Sequence, residues 1–238
     1  MAEKLYTIPV NEVFDKKCEC PVCEIYHSLE KSSLEFTMGP SYMEDDIRAM
    51  TDKTGFCRMH SEKLLGMNNR LGMALILKTH TDKVNKDISK LSSNMKSKGF
   101  FKKADNKELL DYIKELNTSC FVCNRINEVF DRYIATIFHL WKNDSSFKEK
   151  YLKSEGFCVE HFGMLVERAE SELSGKTKEE FVEATVKLYN DNMERINEDL
   201  AWFINKFDYK YKDEPWKNSK DSVPRALTKL NGIIVEEQ

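Results

Sequence analysis

The sequence predicts an all-α protein built from a duplicated helical repeat, each half stapled by a metal site of three cysteines and one histidine. Three observations lead there. Apolar residues recur at helical spacing over long stretches, and strand-like alternation is scarce. Only nine Gly and five Pro interrupt 238 residues. One metal-ligand signature also occurs twice, as Cys20-Pro-Val-Cys23 with Gly55-Phe56-Cys57-Arg-Met-His60, and as Cys120-Phe-Val-Cys123 with Gly156-Phe157-Cys158-Val-Glu-His161.

The two copies lie in register. Corresponding CxxC residues are offset by 100 (120 − 20) and corresponding CxxH residues by 101 (158 − 57). One inserted residue therefore aligns all eight groups, which is the mark of an internal repeat. Residues at i and i+3 on one turn face a common ion. Three thiolates and an imidazole fill the four positions of tetrahedral zinc and leave none for substrate, so the pattern points to structural zinc. The expected grouping is Cys20, Cys23, Cys57 and His60 for one ion, and Cys120, Cys123, Cys158 and His161 for the other. An iron–sulfur cluster on the same ligands is the alternative, although three cysteines with one histidine match neither the four-cysteine nor the Rieske set.

Within each copy the elements follow one order. The CxxC leads into a helix, from Glu24 to about Phe36 and from Asn124 to about Trp141. A short helix comes next (Met43–Asp52; Ser145–Lys153), then a Gly-Phe turn, and CxxH opens a further helix. Helix starts suit thiolates, because free N–H groups and the positive dipole end stabilise them. In the first copy the helix from Cys57 is expected to continue to just before Gly99, with Leu77, Val84, Ile88, Leu91 and Met95 on one face. Asp105 with Glu108 signals the start of a helix through Leu109, Leu110, Ile113 and Leu116. In the second copy Ser174-Gly175 ends the helix from Cys158. Thr177 with Glu180 then opens one from about Lys178 to Phe207, with a seam of Tyr189, Met193, Ile196, Leu200, Phe203 and Phe207. Repeats are expected at 1–100 and 101–238, packed as one globular unit with a C-terminal tail folded back over the core.

Other candidates lack support from the repeat. His27 aligns with Asn127, and Cys18 aligns with Thr118; His80 and His139 have no counterparts. Glu44, Asp45 and Asp46 suit a helix start rather than acid–base chemistry. No phosphate loop, nucleophile elbow or HExxH motif is present, and no catalytic residue is assigned.

Composition limits the function classes. With 41% hydrophobic and 32% charged residues the chain has globular composition. Its formal charge is −3. Two Zn²⁺ on six thiolates would add 2 × (2 − 3) = −2, giving about −5, against a nucleic-acid partner. No apolar run approaches the roughly 18 residues of a membrane span. The first residues do not read as a secretory signal. Reduced thiols and a cytoplasmic location are the expectation, with the helices presenting a surface to a protein partner, a second copy of the chain or a small ligand, and no enzymatic role.

The motifs CPVC, GFCRMH, CFVC and GFCVEH, with the closing stretch from Asp208 through Trp216 to Gly232, resemble a family of uncharacterised bacterial proteins, a domain of unknown function with paired CPxC…GFCxxH motifs. The resemblance covers nearly the whole chain. It implies a cytosolic bacterial protein with bound metal and no assigned reaction. The second copy departs only in carrying Phe121 where the first has Pro21.

Overall fold

The computed structural model describes residues 3–96 and 106–234. Among these the secondary structure is entirely helical, as expected. The order is α1 (Glu3–Phe14), α2 (Pro21–Met38), a 3-10 turn, α3 (Asp45–Thr54), α4 (Arg58–Gly66), α5 (Arg70–Lys96), α6 (Lys107–Thr118), α7 (Phe121–Asn143), α8 (Ser145–Lys153), α9 (Val159–Glu172), α10 (Gly175–Asn205), a second 3-10 turn and α11 (Ser222–Asn231). No described helix is long and apolar enough to cross a membrane.

The chain forms two compact units, and they are not the halves 1–100 and 101–238. Met1–Ser28 joins Phe130–Gln238 in one unit; Leu29–Val129 forms the other. Both boundaries fall inside helices, α2 and α7.

The larger unit is built on aromatic rings. Phe14, Trp141, Phe147, Tyr151, Phe157 and Phe181 interlock at centroid distances such as 5.0 Å (Phe14–Phe147) and 5.1 Å (Trp141–Tyr151). Tyr151 is fully buried and meets the Thr185 hydroxyl at 2.8 Å, which satisfies its polar end. Along α10 the deeply buried stripe is Phe181, Thr185, Leu188, Asn192 and Ile196. Of the expected seam only Ile196 is fully covered. Tyr189 stacks on Phe162 at 4.2 Å, whereas Phe207 is 75% exposed. The helix starts at Gly175 behind Ser174, so Thr177 lies inside it and does not cap it. The aromatic tail does fold back. Trp216 packs on Phe203 at 5.7 Å, and Trp202 Nε1 donates to the Pro215 carbonyl at 3.0 Å.

In the smaller unit the helix expected from Cys57 to Gly99 is broken. α4 and α5 are separated at Met67–Asn69, where Asn68 adopts φ 61°. Asn69 holds the break: its Oδ1 accepts from Gly72 N at 2.9 Å, and its Nδ2 donates to the Met38 carbonyl at 2.8 Å. Asparagine competes in this way for backbone hydrogen bonds, and it tolerates the left-handed region. Among the described apolar side chains of α5, Met73 and Ile76 are buried, while Leu77 is 42% exposed. The side chain of Met95, together with Gly99 and Asp105, lies outside the described residues. Glu44 stands at the N-cap position of α3 without a side-chain cap hydrogen bond, and Asp45 and Asp46 occupy its first turn, in keeping with the dipole reading.

Candidate metal centres

Each ligand pair sits at the start of a helix. Cys20 and Cys120 immediately precede α2 and α7, placing Cys23 and Cys123 in the first turns; Cys57 and Cys158 are the N-caps of α4 and α9. The eight residues gather into two groups of three sulfurs and one Nδ1. Within each group all ligand atoms lie within 4.8 Å of one another.

The grouping corrects the expectation. Cys20 and Cys23 meet Cys158 and His161, whereas Cys120 and Cys123 meet Cys57 and His60. Helix length supplies the reason. α2 has 18 residues and carries the chain about 27 Å from Cys20, at 1.5 Å per residue. The only full helix between it and Cys57 is α3, whose 10 residues return it by at most about 15 Å. α7 and α8, with 23 and 9 residues, repeat the imbalance before Cys158. Each CxxC therefore closes on the CxxH of the other copy, and each compact unit holds one complete set.

In the first centre His161 Nδ1 lies 3.5, 3.3 and 3.3 Å from the sulfurs of Cys20, Cys23 and Cys158; Cys23 and Cys158 Sγ are 3.6 Å apart. In the second, His60 Nδ1 lies 3.3 Å from each of Cys57, Cys120 and Cys123 Sγ, with Cys57 and Cys123 4.0 Å apart. A tetrahedral zinc ion with sulfur at about 2.3 Å and nitrogen at about 2.0–2.1 Å requires edges of about 3.5–3.8 Å. The distances above, from 3.3 to 4.0 Å, bracket that size to within a few tenths of an ångström, and the sulfurs are too far apart for disulfides. The two sets could each hold a metal ion.

The electrostatics of the two cages fit this. Burial lowers the His161 pKa, but hydrogen bonds and charge from Cys158 and Cys20 outweigh it and raise it to about 10. Hydrogen bonds to Cys158 and Cys20, with burial, push the Cys23 thiol up; hydrogen bonds to Cys20 and Cys23 hold Cys158 down. Burial, followed by the neighbouring sulfurs of Cys120 and Cys57, pushes Cys123 up to about 12. Buried thiolates need a positive group among them, a place that a bound cation would take. Burial also lowers the His60 pKa, against the opposing pull of Glu30, and so favours the neutral imidazole a metal needs.

Different latches bring the ligand pairs together. At the second centre Phe121 N donates to the Gly55 carbonyl at 2.9 Å, and Ser119 Oγ donates to the Thr54 carbonyl at 2.7 Å. These bonds tie the turn before Cys57 to the start of α7. At the first centre the residue aligned with Phe121 is Pro21, which has no N–H, and the residue aligned with Ser119 is Glu19. Lys229 of α11 takes over this role. Its Nζ donates to the Glu19 carbonyl at 2.6 Å and to the Glu155 carbonyl, and lies 3.3 Å from Glu19 Oε2. Arg195 adds ion pairs to Glu19 and Glu155 at 2.6 and 3.0 Å.

The imidazoles are also backed differently. His60 Nε2 lies 3.1 Å from Glu30 Oε1, and Lys63 holds the other Glu30 oxygen at 2.5 Å. Such a carboxylate fixes the tautomer and raises ligand basicity. The aligned position near His161 is Phe130, whose ring lies 5.9 Å from the imidazole. Lys229, Glu30 and Phe130 escaped the sequence reading. Their signal, the offset of 100 that pairs position 30 with 130, acquires meaning only once the ligand exchange is known.

The residues set aside remain outside both groups. His80 Nδ1 lies 2.8 Å from the Asp52 carbonyl, and neither His27 nor His139 joins a ligand set. Cys18 is half-buried, with its thiol pushed up to about 12 by burial, Glu24 and Cys20. Gly55 has φ +57°, and a Cβ there would lie 2.6 Å from His80 Nε2. Gly55→Ala is therefore expected to cost about 1–3 kcal/mol, read as a lower melting temperature.

Compared with known families, residues 1–237 match one described as "Family of unknown function (DUF6062)". No curated protein and no solved structure matches the chain.

Proposed function

The chain belongs to this family of unknown function, and from that premise we propose that it is a non-enzymatic zinc protein whose two ions hold a helical scaffold for a protein partner. The closed donor sets carry this reading. Three sulfurs and one nitrogen of the right spacing surround each centre, leaving no coordination position for water or substrate. Cys20, Cys23, Cys158 and His161 would hold one ion, and Cys57, His60, Cys120 and Cys123 the other. The bound ions would supply charge neutralisation for the buried thiolates and a cross-link between segments distant in sequence. A reducing, cytoplasmic setting goes with six thiols kept available as ligands. The partner class is protein, a second copy of this chain included, and a nucleic acid is disfavoured by the −3 charge.

Elemental analysis and an absorption spectrum of anaerobically purified protein test the reading. The expected result is two zinc ions per chain and no visible bands. Iron with a brown colour would replace it by the iron–sulfur alternative. Acidification provides a second check. Metal binding releases thiol protons, so lowering the pH favours the protonated ligands and the free ion. Zinc content after dialysis should therefore fall from neutral towards acidic pH, with loss of helical circular dichroism alongside. Helicity unchanged after zinc removal would mean that the ions are not structural.

A further inference from the structure

The two centres share their donor types but differ in access. Around the first, Cys20, Cys23, Cys158 and His161 are 1%, 4%, 0% and 8% exposed. Gly232, just past α11, lies over them: a Cβ there would sit 3.5 Å from Cys23 Sγ and 3.8 Å from Cys158 Sγ. The C-terminal backbone thus lies against two of the three sulfurs, and Phe130 lies beside the imidazole. At the second centre His60 and Cys120 are buried, but Cys57 and Cys123 are partly exposed. Their sulfurs, 4.0 Å apart, form an open edge of the tetrahedron. On the imidazole side Glu30, itself held by Lys63, braces His60.

Ligand exchange without full release needs an incoming donor to reach an ion that its remaining ligands still hold. The second centre meets both conditions, whereas the first, buried and covered at Gly232, offers no open edge to an incoming donor. We propose that Cys57, His60, Cys120 and Cys123 form a metal-exchange site, which passes its ion to or takes it from incoming thiolate ligands, while the centre of Cys20, Cys23, Cys158 and His161 keeps its ion. This rests on the metal-binding reading above. With an ion held there, the sulfur of an incoming thiol would replace that of Cys57 or Cys123, the proton lost by the incoming thiol would pass to the departing cysteine, and no atom would change oxidation state.

The test uses the full-length, zinc-loaded protein mixed with the chromogenic chelator pyridylazoresorcinol. Two release phases of equal amplitude are expected, one ion each, with the faster at least about tenfold quicker, because the buried centre must first open locally. Glutathione should accelerate the fast phase alone, and Cys57→Ser should abolish that phase while leaving the slow one. Independently of any variant, limited alkylation with iodoacetamide, read by peptide mass spectrometry, should modify Cys57 and Cys123 before Cys20, Cys23 and Cys158. A single phase releasing both ions, or earlier modification of Cys20 or Cys158, would overturn the proposal. Protein that carries no zinc would instead overturn the metal-binding reading itself.

Discussion

Replacing Cys20 and Cys158 together by serine is expected to leave one zinc ion per chain on a complete four-ligand site, whereas replacing Cys20 and Cys57 together leaves no complete site and no retained zinc. The first pair removes two ligands from one cage and none from the other. The second pair takes one ligand from each cage, and both then have three donors and an open position. Grouping within each sequence copy predicts the opposite counts, so elemental analysis after dialysis against buffer without chelator decides between them. The structural effect should be large. Zinc contributes on the order of 10–16 kcal/mol of apparent binding free energy in small structural sites, and that energy is coupled to folding. The Cys20/Cys158 variant should lose helicity in proportion to Met1–Ser28 and Phe130–Gln238, while Leu29–Val129 keeps its ion.

Lys229→Met is expected to destabilise the larger unit by about 3–5 kcal/mol and to loosen one ion only. Methionine fills similar space but donates nothing. The carbonyls of Glu19 and Glu155 would then lose the buried ammonium that joins them, and Glu19 would keep only its arginine partners. Those carbonyls precede Cys20 and the Gly156 turn that leads to Cys158, so the two ligand pairs would drift apart. The second centre has its own latch through Ser119 and Phe121 and should be unaffected. Denaturant unfolding together with zinc content checks both halves. Loss of both ions, or no loss of stability, would contradict this account.

The helical class and most helix positions were legible in the sequence because they depend on local signals. α8 matches its expected bounds, Ser145–Lys153, and its start is capped by Asp144, which accepts from Ser146 N and Phe147 N. Two helices gave no usable signal. α1 contains Pro9, which argues against a helix by propensity. α11 is a single amphipathic stretch of ten residues with Pro224 inside it. The break at Asn68 and the true buried stripe of α10 were hidden too. Both depend on partners elsewhere in the chain, Met38 for the first and the aromatic core around Phe181 for the second.

The sequence by itself determined which eight side chains can bind metal, because a CxxC or CxxH pair is local: two donors one helical turn apart face one ion wherever the helix goes. It also determined that the donors divide into two sets of three sulfurs and one imidazole, since either grouping has that composition. Only the tertiary structure decided which pairs meet. That depends on the reach of α2 and α7 against the short returns of α3 and α8, and on latches supplied by Ser119, Phe121 and Lys229. Motif spacing cannot carry this information, because the ion responds to distance in space and the path between pairs is set by helix length and packing.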